Sequence, residues 1–441
     1  MQLPSLLGHV QELLSTILTS DKPADSLIDS FFRSRKYLGS HDRRFIAETT
    51  YGTLRHLRRA RAALDFALAD SNATVRDTDR VLLTVASYLL SIELNAELNH
   101  EALTPKIQSA ELKRRLPEIV ARMTSFRLAP SSDPLDRMGI RYSFPDWLVK
   151  SFIHEFGETE AETLCAGLNE QAPLTLRVNA LMTTVEECQR ILQSEGIETS
   201  RTRLSPLGLN VAKRFNIFSL KSFRDGFFEV QDEGSQLVPL IIDPKPTAKV
   251  LDACAGAGGK TLALASIMKN RGEIYAADVH GFRLKELHRR ATRAGVSNVR
   301  IKEVDDLAEL MEKYSGFFDI VFIDAPCSGL GTIRRNPGMK WTVTEETVKE
   351  LSEKQQRIIE SSAPLVKSGG RLVYATCTVL REENENVVER FLSEHSGFTM
   401  IDPAPSVAQL GLSSAISGKF IKLLPHRHGT DGFFCAMMEK K

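Results

Sequence analysis

Two cysteine blocks carry the most chemistry in this chain of 441 residues. Asp324-Ala325-Pro326-Cys327-Ser328-Gly329 follows one apolar run, and Tyr374-Ala375-Thr376-Cys377-Thr378 closes the next. If both runs are parallel strands, the two thiols border one crevice, because ligands of open α/β sheets bind outside the carboxyl ends of the strands. A single free cysteine is ordinarily a small buried apolar side chain. Two of them at adjacent strand ends, one close to an aspartate, point instead to nucleophilic chemistry. The reaction that needs this arrangement is methylation of a pyrimidine at carbon 5, an atom with no lone pair. A thiolate must first add to carbon 6, and that covalent step makes carbon 5 nucleophilic. A carboxyl group near N3, here Asp324, would stabilise the adduct, and a second thiol can assist loss of the carbon 5 proton. The attacking thiol needs a lowered pKa, which a helix N-terminus after Cys377 is expected to supply in part. Spacing alone does not decide which cysteine attacks.

A methyl donor needs its own site, and a glycine-rich turn is available at Asp252-Ala253-Cys254-Ala255-Gly256-Ala257-Gly258-Gly259-Lys260-Thr261. Such a turn lets backbone approach a ligand at a helix N-terminus. A phosphate-binding P-loop would need glycine where Cys254 sits, and a dinucleotide turn would need it where Thr261 sits. Both fail by one position. The remaining reading is the loop of a methyltransferase fold with S-adenosyl-L-methionine as cofactor. Asp278, twenty residues after Gly258, is placed to accept hydrogen bonds from a ribose. Asp305 or Asp306 is similarly placed for an adenine.

Three kinds of sequence have to position these residues. From Leu6 to about Leu116 apolar residues recur at helical spacing, as in Leu6, Leu7, Val10, Leu13, Leu14, Ile17 and Leu18. Residues 1–128 are therefore expected to form an all-helical domain, ended by the linker-like Ala129-Pro130-Ser131-Ser132-Asp133-Pro134. Residues 140–243 read as a small α+β segment, with strands at 174–178 and 226–231 and a Thr-capped helix at 184–194. Residues 244–441 alternate β and α, the pattern of a parallel sheet covered by helices. Strands are expected at 248–252, 273–278, 299–304, 318–324 and 371–376, with a final hairpin near 419–439 and a loop-rich segment at 403–418.

Composition narrows the setting. Lys and Arg number 57 against 56 Asp and Glu, so any nucleic-acid surface must be local. One candidate is residues 31–64, where nine Lys or Arg face only Asp42 and Glu48. Six cysteines without a CxxC pair argue against a zinc site or a disulfide framework, and no metal is expected. The longest apolar stretch, Val81–Leu90, is about half of what a membrane span requires, and no basic segment precedes an apolar run at the N-terminus. A cytoplasmic protein without a membrane partner is expected, as a monomer.

Taken together, the loop 252–261, the block 324–329, the run Arg334-Arg335-Asn336-Pro337 with Lys340-Trp341, the Thr376-Cys377-Thr378 block and Asp431-Gly432-Phe433-Phe434 resemble the Sun-type RNA 5-methylcytosine methyltransferases. The likeness covers nearly the whole chain. The helical region with Tyr51-Gly52-Thr53-Leu54-Arg55 looks like the NusB-like RNA-binding domain of the branch that acts on 16S ribosomal RNA. The resemblance implies a Rossmann-like methyltransferase domain (α/β) behind that domain and a small α+β linking domain. It implies Cys377 as the nucleophile and Cys327 as the residue that helps release the product, whereas analogy with DNA cytosine methyltransferases, which attack from a Pro-Cys motif, would choose Cys327. It assigns the cofactor to Cys254, Ala255, Gly256, Ala257, Gly258, Gly259, Lys260, Asp278, Arg283, Asp305 and Asp324. It places Arg334, Arg335, Lys340 and Trp341 against RNA, expected to be 16S ribosomal RNA before or early in subunit assembly. Transfer RNA, another ribosomal site, and an inactive RNA-binding assembly factor are the other readings. The chain departs from the family at Gly256-Ala257, where Ala-Pro is usual. The loop is expected to keep its path and to bind the cofactor less tightly.

Overall fold

The computed structural model describes residues 1–20, 22–69, 74–213 and 215–441. They form two compact units, one of Met1–Glu170 with Ile333–Thr344 and one of Gln171–Thr332 with Glu345–Lys441.

The first unit is helical among its described residues. Its long helices, Leu3–Leu18, Ser40–Arg55, Leu57–Leu68, Asp77–Ser91 and Ala110–Ser125, bury the faces that their apolar spacing defines. Ser109 caps the last of them by accepting from the Leu112 N–H at 3.3 Å. The 129–134 passage does not end this unit, contrary to the expected boundary at 128. Helices Pro134–Arg141, Asp146–Phe156 and Glu158–Asn169 belong to it. Arg58 ties them in, donating to the Phe144 carbonyl at 2.8 Å and pairing with Asp146 at 2.5 Å. The more distant Ile333–Thr344 also packs here, which a linear reading of domains had no means of finding.

The second unit holds two sheets. The smaller is antiparallel, formed by β1 (Leu174–Val178), β2 (Thr199–Arg201), β3 (Gly208–Val211) and β4 (Phe228–Val230) in the order β2-β3-β1-β4. Its helix, Val185–Ser194, is capped as expected by Thr184, which accepts from the Glu187 N–H. The larger sheet contains β5 (Lys249–Asp252), β6 (Glu273–Asp278), β7 (Val299–Glu303), β8 (Phe318–Asp324), β9 (Val366–Thr376), β10 (Phe398–Met400), β11 (Ile416–Ser417), β12 (Phe420–Leu423) and β13 (Phe433–Lys440). The order is β11-β12-β13-β9-β8-β5-β6-β7, with β10 paired to β13. Strands β5 to β9 run parallel and β13 runs antiparallel to β9. Strand β9 starts five residues before the expected position 371 because the chain continues as a bulged strand through Lys367-Ser368-Gly369-Gly370, a turn-like sequence. The 403–418 segment carries a short helix, Ala404–Ala408, and the edge strand β11. A buried helix, Glu233–Ile242, precedes β5. It is apolar on most faces and so lacks the one-sided periodicity that marks a surface helix. Among the described residues no helix is long and apolar enough to cross a membrane.

Candidate active site

Parallel pairing brings the ends of β5, β6, β7, β8 and β9 to one edge, and the polar residues stand there. Asp252 ends β5, Asp278 ends β6 and Asp324 ends β8, where Asp324 is level with Ala375 of β9. The turn after β5 is held from several sides. The Gly256 N–H donates to Asp278 Oδ2 at 2.8 Å, while Asp278 Oδ1 accepts from His280 N–H at 2.8 Å. Arg177 of β1, 4 % exposed, donates to the Gly259 carbonyl and to Gln231, both at 2.6 Å, and Arg290 donates to the Ala257 carbonyl at 2.8 Å. Burial pulls the Arg177 guanidinium down to about 10. The small sheet therefore braces the glycine turn, a role that the sequence marks only by an arginine inside an apolar strand.

A cavity of about 580 Å³ opens over this turn, a size that suits a nucleoside cofactor. Of the residues assigned to the cofactor, Cys254, Ala255, Gly256, Ala257, Gly259, Lys260, Asp278, Arg283, Asp305 and Asp324 line it. Gly258 does not. It turns the chain behind the wall at φ +84°, where a Cβ would lie 2.6 Å from Leu287 Cγ. Asp306, Gln231, Ser235 and His280 line the cavity as well. Gly256 has φ +53° and open space where a Cβ would stand. Alanine in that left-handed conformation costs about 1–2 kcal/mol, and the residue before a proline avoids the α regions.

The donor set fits S-adenosylmethionine. Asp252 is 1 % exposed; its Oδ2 accepts from Thr261 Oγ1 at 2.6 Å, while its Oδ1 is buried with no hydrogen-bond partner. An orphaned carboxylate oxygen on the wall of a cavity that also holds Asp278, Asp305 and Asp324 suits a ligand carrying a sulfonium and an ammonium. Burial raises the Asp252 pKa to about 7, with the Thr261 hydrogen bond opposing and Asp324 adding to the rise. The folded chain thus keeps a proton that the unfolded chain loses near 3.8, so stability falls as pH rises through that interval. Affinity for the cationic cofactor should move the other way, rising several-fold as pH increases through about 7. Titration calorimetry between about pH 6 and 8 checks this, and Asp252→Asn should flatten the slope.

The thiols lie beside this cavity and do not line it. Cys327 Sγ is 3.4 Å from Cys377 Sγ and also 3.4 Å from the Cys377 N–H. Three loops converge to hold this pair: the Gly331 N–H donates to the Cys377 carbonyl at 3.0 Å, and the Gly432 N–H to the Gly331 carbonyl at 2.8 Å. A Cβ on Gly331 would lie 2.3 Å from the Gly432 carbonyl oxygen, which leaves glycine as the residue for this crossing. The hydrogen bond with Cys377, then burial, push the Cys327 thiol well up. No helix starts directly after Cys377, contrary to expectation; the next full helix is Glu385–Glu394. The nearby positive charge is instead Lys260, whose Nζ sits 2.7 Å from Asp324 Oδ2. Burial alone would lower its pKa, but Asp324 and, more weakly, Cys377 raise it.

Beneath the pair is a residue that sequence reasoning missed. Glu383, fully buried, accepts from the Ser328 N–H at 2.7 Å, from Ser328 Oγ and from Gln355 Nε2 at 3.0 Å, and its carbonyl accepts from Tyr374 Oη at 2.7 Å. Its neighbour Asn384 donates to the Thr378 carbonyl at 3.2 Å. These two residues fasten both cysteine loops to one short turn. Glu383→Ala should lower kcat by roughly a hundredfold, the scale of a small misplacement of reacting groups, with cofactor affinity unchanged. Glu383→Gln, which keeps an acceptor for the Ser328 N–H, should restore most of the rate in the same kinetic assay. A Gln variant as poor as Ala would contradict this positioning role.

The residues expected on RNA behave differently. Lys340 is 1 % exposed, and its ammonium bonds the carbonyls of Arg55, Ser143 and Tyr142 at 3.0, 3.1 and 3.2 Å and Asn169 Oδ1 at 2.5 Å, over the face of Phe144. Arg334 is 4 % exposed, with its carbonyl accepting from Arg55 Nη2 at 2.7 Å. Trp341 packs on the helical core and donates to the Leu54 carbonyl at 2.7 Å. The RNA expectation is corrected for Lys340 and Arg334, whose charged groups are enclosed by protein. Trp341 and Arg335 keep part of their surfaces. The motif 51–55 is thus the cradle of the inserted segment. In the basic run 31–64, four of the nine cations pair within their own unit: Arg33 with Asp29, Arg35 with Glu12, Arg44 with Glu48 and Arg58 with Asp146.

Residues 239–439 match the family described as 16S rRNA methyltransferase RsmB/F, and residues 144–218 match the ferredoxin-like domain described for RsmF/B-like methyltransferases. The probable ribosomal RNA small subunit methyltransferase B of Synechocystis is 33% identical over 437 residues, covering 97% of this chain and 98% of its own. The chain belongs to the RsmB/F methyltransferase family. The Bacillus subtilis protein of the same description is 33% identical over 462 residues, with 100% of both chains covered. Among solved structures, that of PH0851 superposes with a TM-score of 0.79 at 26% identity, over 100% of this chain and 99% of the other. The crystallised methyltransferase homolog from Pyrococcus horikoshii gives 0.59 at 29% identity, covering 71% of this chain and all of its own. The RsmB/F chain described here is a methyltransferase with a Rossmann-like domain, and its cofactor is S-adenosylmethionine.

Proposed function

We propose that this protein methylates carbon 5 of a cytosine in 16S ribosomal RNA, before subunit assembly is complete, through a covalent adduct on Cys377. S-adenosylmethionine, when bound, supplies the electrophilic methyl group that carbon 5 accepts. Asp278 would hold its ribose, Asp305 or Asp306 its adenine, with Arg283 on the rim and the 254–260 turn around its amino-acid end. Cys377 Sγ forms a bond to carbon 6, and the displaced electron pair is delocalised over carbon 5 and N3, where a proton shared between Asp324 and Lys260 would neutralise it. After methylation the carbon 5 proton passes, with the help of Cys327, to water. The electrons of that C–H bond then rebuild the 5,6 double bond, and the sulfur–carbon 6 bond breaks to release Cys377.

The observation that carries this reading is the thiol pair, 3.4 Å apart at neighbouring strand ends, next to an aspartate that also lines the cofactor cavity. The raised Cys327 thiol supports the division of labour, because a thiol is a poorer nucleophile than a thiolate. The substrate class rests on the relatives described as small-subunit ribosomal RNA methyltransferases. For carbon 5 of the base to reach both thiol and methyl, the cytosine must lie in a loop or be turned out of its stack. Incubation with methyl-labelled cofactor and, separately, naked 16S RNA, assembled small subunits and total transfer RNA tests the target. Label confined to naked 16S RNA is expected. Label confined to transfer RNA would overturn the substrate, and no label in any RNA would favour an assembly factor without activity.

A further inference from the structure

The second unit has a basic surface that the cysteine chemistry does not use. Helix Gly281–Arg293 carries Arg283, Lys285, Arg289, Arg290 and Arg293 against the single acid Glu286. Across from it, the connection between β3 and β4 supplies Arg224 and Phe218, which with Arg289, Arg290 and Arg293 line a groove of about 640 Å³. Two of the arginines are fixed in advance. Glu229, 4 % exposed, pairs with Arg290 at 3.0 Å and also with Arg293, which lies 4.0 Å over the Phe223 ring. The other two stand at the rim. Arg289 is paired only to the partly exposed Glu286, and among the described residues no carboxylate lies within pairing distance of Arg224. Phe218 is 60% exposed, packed edge-on against Phe223. The groove adjoins the cofactor cavity, because Val230, Ala257 and Arg290 line both.

We propose that this groove is an RNA-strand site, in which Arg224 and Arg289 contact backbone phosphates and Phe218 stacks on an unpaired base. Positively charged grooves with an exposed aromatic ring are built to follow a single strand without reading its sequence. The inference rests on the RNA substrate proposed above and adds where the strand flanking the target cytosine runs. It accounts for the charge and exposed aromatic surface that the β3–β4 connection adds to this groove.

The test measures binding of in vitro transcribed 16S RNA across a salt series, together with steady-state methylation, for wild type, Arg224→Ala/Arg289→Ala, Arg224→Lys/Arg289→Lys and Phe218→Ala. All three positions of substitution are on the surface, and cofactor affinity, expected to be unchanged, verifies the fold. The double alanine variant should raise the RNA Kd and KM roughly tenfold and lower the salt slope by about 1.4, for two phosphate contacts to single-stranded RNA, with kcat near that of wild type. The lysine variant should recover the salt slope. Phe218→Ala should weaken binding without changing that slope. Unchanged Kd and slope in the double alanine variant, with wild type methylating the RNA, would overturn the groove alone. A wild type that neither binds nor methylates the RNA would overturn the groove and the proposed substrate together.

Discussion

Cys377→Ala should abolish methylation, by at least about a thousandfold, the scale on which loss of a covalent nucleophile is felt, and should form no adduct with RNA. Neither thiol lines the cofactor cavity, so cofactor affinity should be unchanged in the same variant. Cys327→Ala should be equally slow in turnover for a different reason. Its Cys377 still attacks, the carbon 5 proton is not removed, and a protein–RNA species resistant to denaturing electrophoresis should accumulate. The contrast between the variants is more informative than either loss alone. An adduct that forms in Cys377→Ala and disappears in Cys327→Ala would reverse the two roles, as the Pro-Cys analogy would have it.

Lys340→Met should destabilise the helical unit by about 3 kcal/mol, seen as a fall of roughly 5–10 °C in its thermal transition by circular dichroism. The substitution retains the length and apolar stem of the side chain but removes the ammonium. Three backbone carbonyls and Asn169 Oδ1 are left without their shared donor. Burial pulls the Lys340 pKa well down, yet four acceptors and the Phe144 ring surround the ammonium and none of these groups can replace it. A Met variant as stable as wild type would mean that Ile333–Thr344 is held by Trp341 and its apolar neighbours alone.

The sequence was most readable where chemistry and periodicity coincide. The parallel strands, the glycine turn and both cysteines stand at the ends of apolar runs that periodicity marks within a residue or two, and ten of the eleven residues assigned to the cofactor line one cavity. Gly258 is the exception because a turn needs residues behind its wall as well as on it. The miss at Lys340 and Arg334 has a clear physical cause. Lysine and arginine are rarely buried, so a cationic run beside an active-site block reads as a surface, and only the tertiary fold reveals four acceptors converging on Lys340. Glu383 escaped notice for the complementary reason: its partners Ser328 and Gln355 are 55 and 28 residues away in sequence, and an acidic turn after a cysteine looks like ordinary solvated chain. The boundary at 128 failed because a Pro/Ser-rich passage marks a break in helix, which is not the same as a break in packing.

Carbon 5 chemistry is the central claim, and it leaves a direct signature. Each methylation at that atom must expel the hydrogen it carried. 16S RNA transcribed with cytosine tritiated at carbon 5 should therefore release tritium to water in proportion to the methyl groups that wild type transfers, with no release by Cys377→Ala. Methyl incorporation into the RNA without tritium release would place the reaction at another atom and contradict the covalent mechanism assigned to the Cys327–Cys377 pair.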